Sequence, residues 1–156
     1  MNITRYIPTN RKRTPNLWKS KKGNKYHAQK VKGSPHFPEI ANRLFDSKFE
    51  AHIAYELCVR QRAGEIKDLK FQVTAHMTEA DITWCIDFCY TEKGELIYHE
   101  AKGDPTGEYK LKLKLYKVYG PARIRITSGT VSERRTVEYY PRLLNRDTVS
   151  GKKRKR

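Results

Sequence analysis

Residues 81–90, DITWCIDFCY, constrain the fold more than any other part of this chain. Ile82, Trp84, Ile86, Phe88 and Tyr90 occupy every second position, the period of a strand with one buried face, and Thr83, Cys85, Asp87 and Cys89 fill the other face. One residue does not suit that pattern. Asp87 lies between Ile86 and Phe88, where an unpaired carboxylate is costly, so its charge needs a partner; a metal ion or Lys102 would serve. A second strand is expected over Glu95–Lys102, stopped by Gly103-Asp104-Pro105, with Glu100 and Lys102 on one face. Lys93-Gly94 is the tightest turn between them, with glycine supplying a positive φ, and it sets Asp87 opposite Glu100. A loop running from Glu92 to Glu95 keeps that register, whereas a loop of odd length would oppose Asp87 to His99 and turn Glu100 away.

The flanking segments read as follows. Ser47-Lys48-Phe49-Glu50 is a capping-box pattern, and Phe49, Ile53 and Leu57, widened by Ala54, Cys58 and Val59, form a helical stripe that should end near Ala63-Gly64. Glu50 has two readings: a cap that reaches back to the Ser47 amide, or a carboxylate offered to whatever the sheet binds. A strand is expected over Glu65–Ala75, with Phe71 and Val73 on one face and Lys70, Gln72 and Thr74 on the other. Residues 109–115 alternate like a strand, yet Asp104-Pro105 resembles a helix start and Gly120-Pro121 a stop. Helix is therefore expected over Gly107–Tyr119, with Leu111, Leu115 and Val118 as its apolar stripe. A strand at Ala122–Thr127 and one short element around Val137–Leu144 complete the pattern.

At 156 residues and 37% hydrophobic content the chain suits one domain with a core. Its net charge of +16 is unevenly placed: ten of the 33 basic residues lie in positions 1–32, where there is no acid, and five more close the chain in GKKRKR. Between positions 33 and 150 the remaining 18 basic residues nearly balance all 17 acids. The expected organisation is a basic, disordered arm over 1–37, a folded domain over 38–146 and a basic tail over 147–156. Such arms suit a phosphate backbone, with Arg11, Lys12, Arg13, Lys19, Lys21, Lys22 and Lys25 as candidate contacts; the alternative is a solubility tail. No apolar run reaches the roughly 18 residues of a membrane span and the N-terminus lacks a signal-peptide core, so an intracellular protein is expected. Cys58, Cys85 and Cys89 do not make a disulfide framework and read as reduced core thiols.

Asp87, Glu100 and Lys102 are together the parts of a metal-dependent phosphodiester hydrolase. Two carboxylates on adjacent strands offer oxygen ligands to Mg²⁺, and a lysine on the same face can orient water or balance charge on phosphorus. The order helix, strand, strand, strand, helix, strand, with FDSKFEA, AGEIKDLKFQ, IDFCY, EAKG and YKLKLKL in sequence, resembles the PD-(D/E)XK nuclease superfamily. Within it, the chain resembles phage endodeoxyribonucleases of the Holliday-junction-resolvase type over about residues 24 to 128.

The resemblance implies an α/β (α+β) fold with a restriction-endonuclease-like αβββαβ core and a mixed sheet. It implies a metal-dependent endonuclease of branched DNA, a homodimer, Mg²⁺ or Mn²⁺ as cofactor, and the host cytoplasm for a phage-encoded chain. Asp87 and Glu100 match the motif acids, Lys102 the motif lysine and Glu50 the first-helix glutamate; the Ala101 carbonyl is an implied metal ligand. The proline of the family motif is Ile86 here, which leaves the carboxylate in place. A same-fold nuclease with a nicking, repair or packaging duty, and a non-catalytic nucleic-acid-binding protein, are the alternatives. His99 should be structural, the alternative being a general base, and Gln72 either approaches the site, caps a strand edge or faces solvent. Lys110, Lys112, Lys114 and Asp104 either meet DNA phosphates or form a solvated face.

Overall fold

A computed structural model of the chain describes residues 30–78, 81–103 and 105–142. The basic candidates from Arg11 to Lys25, Asp104 and the C-terminal tail lie outside the described residues. The elements in chain order are β1 (Val31–Lys32), α1 (Pro38–Ala41), β2 (Leu44–Phe45), α2 (Lys48–Arg62), β3 (Ile66–His76), β4 (Thr83–Glu92), β5 (Glu95–Lys102), α3 (Gly107–Tyr119), β6 (Arg123–Gly129) and β7 (Arg134–Tyr139). The folded body thus starts before the expected boundary at residue 38: β1 pairs with β2, and Phe37 is buried.

Strands β3 to β7 form one mixed sheet in sequence order. All neighbours are antiparallel except β5 and β6, which are parallel because α3 carries the chain back between them. The β4–β5 turn is Lys93-Gly94 with φ of 52° and 83°, both positive as a two-residue hairpin turn demands. Glycine makes one of those angles free of strain. The pairs Phe88–His99, Cys89–Tyr98, Tyr90–Ile97, Thr91–Leu96 and Glu92–Glu95 are in the register that turn predicts.

Helices cover the two faces of the sheet. Ser47 Oγ caps α2 by accepting the Glu50 N–H at 3.1 Å, and Gly64, at φ 76°, follows its C-cap Ala63. Phe49, Ile53, Ala54, Leu57 and Cys58 of α2 pack with Phe88, Tyr90 and Ile97. On the other face Tyr109 and Tyr116 of α3 pack with Trp84, Ile86, Tyr98, Ile124 and Ile126. The fully buried positions of α3 are therefore tyrosines; of the stripe expected, Leu115 is partly buried against this core, whereas Leu111 is 60% exposed. The reason is size: two tyrosine rings reach Trp84 edge-to-face at 5.6 and 5.9 Å. Thr106, rather than Asp104-Pro105, caps this helix, its Oγ1 accepting the Tyr109 N–H at 3.2 Å.

The even positions of β4 do not stay on one face. Trp84 and Ile86 join the α3 layer, but Phe88 and Tyr90 join the α2 layer, and Ile82 is exposed. On β3 the same change separates Val73 from Phe71. Both strands turn over at one level, between the pairs Phe71–Phe88 and Val73–Ile86, where Gln72 has φ of 54°. That angle breaks the period-two alternation on which a face assignment depends. Cys85, exposed, is not the core thiol expected, whereas Cys58 and Cys89 are buried. No helix among the described residues is long and apolar enough to cross a membrane.

Gly33 is needed where β1 passes α1, because a Cβ there would lie 2.0 Å from the Ile40 carbonyl oxygen. Gly33→Ala is expected to cost about 1–3 kcal/mol through forced backbone displacement. Gly107→Ala, with nothing within 4 Å of the new carbon, should be neutral or slightly stabilising at the first turn of α3. Urea unfolding midpoints of the two variants measure the contrast.

Candidate active site

Asp87 and Glu100 hold each other across β4 and β5. The Ala101 N–H donates to Asp87 Oδ2 at 2.9 Å, and the Asp87 N–H points at Glu100 Oε2 at a longer 3.4 Å. Backbone pairing of these strands stops one step earlier, at Phe88–His99. Side-chain bonds replace ladder bonds from there, each carboxylate facing a backbone N–H of the other strand.

Glu50 approaches from the α2 layer and holds two contacts with its carboxylate. Its Oε2 accepts the Asp46 N–H at 3.1 Å, a capping contact one residue earlier than the expected Ser47 amide. Its Oε1 accepts from Gln72 Nε2 at 3.1 Å. Gln72 thereby enters the site, with its side-chain oxygen facing the Cys85 thiol at 3.4 Å. Sequence pattern left Gln72 open between the site, a strand edge and solvent, because a polar residue at an outward strand position reads as any of these until its backbone turns over. Glu50, Gln72 and Asp87 border a cleft of about 220 Å³.

The electrostatics follow from burial of like charges. Burial, then the neighbouring Asp87, push the Glu50 carboxyl up to about 7. Glu100 is raised by burial and by Asp87. Burial raises Asp87 as well, while the Ala101 N–H, Lys102 and Gln72 favour its charged form. Lys102 lies close enough to lower both acids, and its Nζ rests 5.6 Å from the centre of the Tyr109 ring. Among the described residues no set of three His, Cys, Asp and Glu side chains is gathered as a metal-ligating group. The three acids are neighbours, with Glu50 tied to its own capping and Gln72 contacts.

His99 faces away from this group. It is buried, bonded to the Tyr90 hydroxyl at 3.2 Å and the Thr127 hydroxyl at 2.9 Å, and burial beside Arg125 and Arg60 lowers it to about 3. A neutral, doubly bonded imidazole is a structural element. Of the α3 lysines, Lys110 and Lys114 are exposed, while Lys112 is half-buried, pairs with Glu108 at 2.9 Å and lies near enough to lower Cys85.

No protein-family model matches this sequence, and no curated protein does. A solved structure described as "Crystal structure of SSO0001" is similar at a TM-score of 0.36 and 11% identity, over 66% of this chain and 58% of that one. So faint a likeness carries no argument. The chemistry of the site must come from its own residues.

A carboxyl raised in the folded state binds a proton that the unfolded chain has released, so its contribution is full below about 4.5 and is lost as pH rises through about 7 for Glu50. His99, uncharged in the fold, adds little slope above pH 7. In EDTA, wild type should therefore lose its Glu50 contribution relative to Glu50→Gln mainly between about pH 5 and 7, a comparison in which the His99 slope common to both proteins cancels. Parallel slopes for the two proteins in urea titrations would refute protonation of Glu50.

Proposed function

We propose that this protein is a metal-dependent DNA endonuclease that hydrolyses phosphodiester bonds, acting on branched DNA such as a four-way junction. The observation that carries the reading is the cross-strand pair Asp87 and Glu100, with Lys102 two residues along β5. The αβββαβ order of α2, β3, β4, β5, α3 and β6 supports a restriction-endonuclease-like assignment and the PD-(D/E)XK resemblance.

The donor set fits a hard, oxygen-seeking cation. Buried Glu100 and half-buried Asp87 receive between them one short hydrogen bond and one long one, which is poor compensation for two charges. In a strand the N–H and C=O of one residue point to the same side, so the Ala101 carbonyl turns with its N–H toward β4. Asp87, Glu100 and that carbonyl would hold Mg²⁺, or Mn²⁺ in its place, with Glu50 behind them across Gln72. Such an ion, when bound, neutralises phosphate charge and makes water more acidic.

The remaining work falls to the chain. Ala101 fixes the rotamer of Asp87 through its N–H. Lys102, braced on Tyr109, presents its ammonium beside both acids, where it can bind a phosphate oxygen as charge develops. Gln72 holds Glu50 and keeps its free edge toward the cleft. Paired cuts across a junction require two such sites, so the working unit proposed is a homodimer. The basic arm and tail, with Lys110, Lys112 and Lys114, supply contacts to the backbone.

Asp87→Asn and Asp87→Ala should abolish Mg²⁺-dependent cutting of a four-way junction and leave junction binding intact. Lys102→Ala should lower kcat by about 10²–10³-fold. Incision mapping on junction, flap and linear duplex substrates checks both. Undiminished cutting by the Asp87 variants would exclude the reading, and binding without cutting by the wild type would favour a non-catalytic nucleic-acid-binding protein.

A further inference from the structure

We infer that Arg43 forms a phosphodiester-binding subsite at the rim of the acidic cleft, gripping the backbone of the nucleic acid whose cleavage is proposed above. The inference rests on that reading for the identity of the ligand, and on Arg43 for its place. The cleft is bordered by Arg43, Asp46, Glu50, Phe71, Gln72 and Asp87, among which Arg43 is the cation. The acids of this rim have other partners: Asp46 pairs with Lys30 at 3.4 Å, and Glu50 accepts from the Asp46 N–H and from Gln72. Among the described residues Arg43 is stacked rather than ion-paired, its guanidinium carbon 4.6 Å from the centre of the Phe71 ring.

Stacking determines what such an arginine can do. Held over the ring with no hydrogen bond or ion pair of its side chain among the described residues, the guanidinium keeps its N–H donors for a ligand, and two of them can match two oxygens of one phosphate. Phe71 is itself held edge-on by Phe88 at 5.9 Å and Phe45 at 6.5 Å, so the stack has a firm base. The backbone under Arg43 is tied as well. Its N–H donates to the Ile40 carbonyl at 3.0 Å, and its carbonyl accepts the Gly33 N–H at 3.0 Å. The side chain is exposed on an anchored stem, the arrangement of a contact prepared for a partner outside the protein. A nucleic-acid strand suits it better than a small phosphate. Lys30, which meets Asp46 of the same rim at 3.4 Å, places a second cation where the next phosphate of a strand could reach it.

The test uses the full chain with Asp87→Asn to stop cutting, in Mg²⁺, with a fluorescent four-way junction titrated over a range of salt. Adding Arg43→Ala should raise Kd about tenfold and reduce the slope of log Kd against log salt by about 1. Arg43→Lys should restore the slope, because it restores the charge, but only part of the affinity, because it lacks the planar fork. Junctions with single methylphosphonate linkages supply a second readout: one neutralised phosphate should weaken the Arg43 protein and leave Arg43→Ala indifferent. Unchanged Kd and slope in Arg43→Ala, or Arg43→Lys behaving like alanine in slope, would overturn the subsite. Failure of the nuclease reading is a separate result, the absence of Mg²⁺-dependent cutting by the wild type.

Discussion

The structure depends on how a sheet accommodates an aspartate in its interior. At Asp87 the ladder between β4 and β5 gives way to an exchange in which the Ala101 amide holds the Asp87 carboxylate and the Asp87 amide faces Glu100. Buried charge is tolerated only with partners, and the partners here are backbone groups released by the end of strand pairing. Asp87 also borders the cleft, whose other walls are the Arg43–Asp46 segment, Glu50 of α2 and Phe71 and Gln72 of β3. The left-handed backbone of Gln72 turns β3 over at the level where β4 turns over.

That reversal distributes the aromatic residues between two layers. Trp84 meets Tyr109 and Tyr116 under α3, while Phe88 packs against Phe71 and His99 under α2. The candidate site lies where the layers exchange strands, which is why a glutamate from α2 and a lysine facing α3 can approach one aspartate. Away from it, β5 is stiffened by a polar network: His99 joins Tyr90 to Thr127, and Arg125 joins Tyr90 to Glu92 and Glu138. Two arginines hold Glu92 down to about 2 despite its partial burial. A rigid, charge-balanced half of the sheet therefore supports a half in which the acids are poorly compensated.

Charge is partitioned in the same spirit. Within the body Arg60, Arg125 and Arg134 are committed to Glu65, Glu92, Glu138 and Glu56. The surplus positive charge in the sequence lies at its two ends. The short β1–β2 pairing joins one of those ends to the rim of the cleft, since Lys30 meets Asp46 there.

Much of this was legible in residue order because it depends on local rules. The Lys93-Gly94 turn determined the hairpin register, Ser47 and Gly64 bounded α2, and period two placed Glu100 with Lys102. Long-range geometry decided the rest. The tyrosines of α3 are buried deepest because their rings meet Trp84 edge-on, with Leu113 and Leu115 partly buried beside them. Gln72 joined Glu50, and β1 extended the fold into a segment read as an arm, through contacts between residues far apart in sequence. The sequence by itself determined which acids stand across from one another, since a tight turn leaves a strand pair one register. Only the tertiary structure decided what surrounds them, because β3 and β4 change faces together at the level of Gln72 and Asp87, a break that the period-two pattern of polar and apolar residues does not mark.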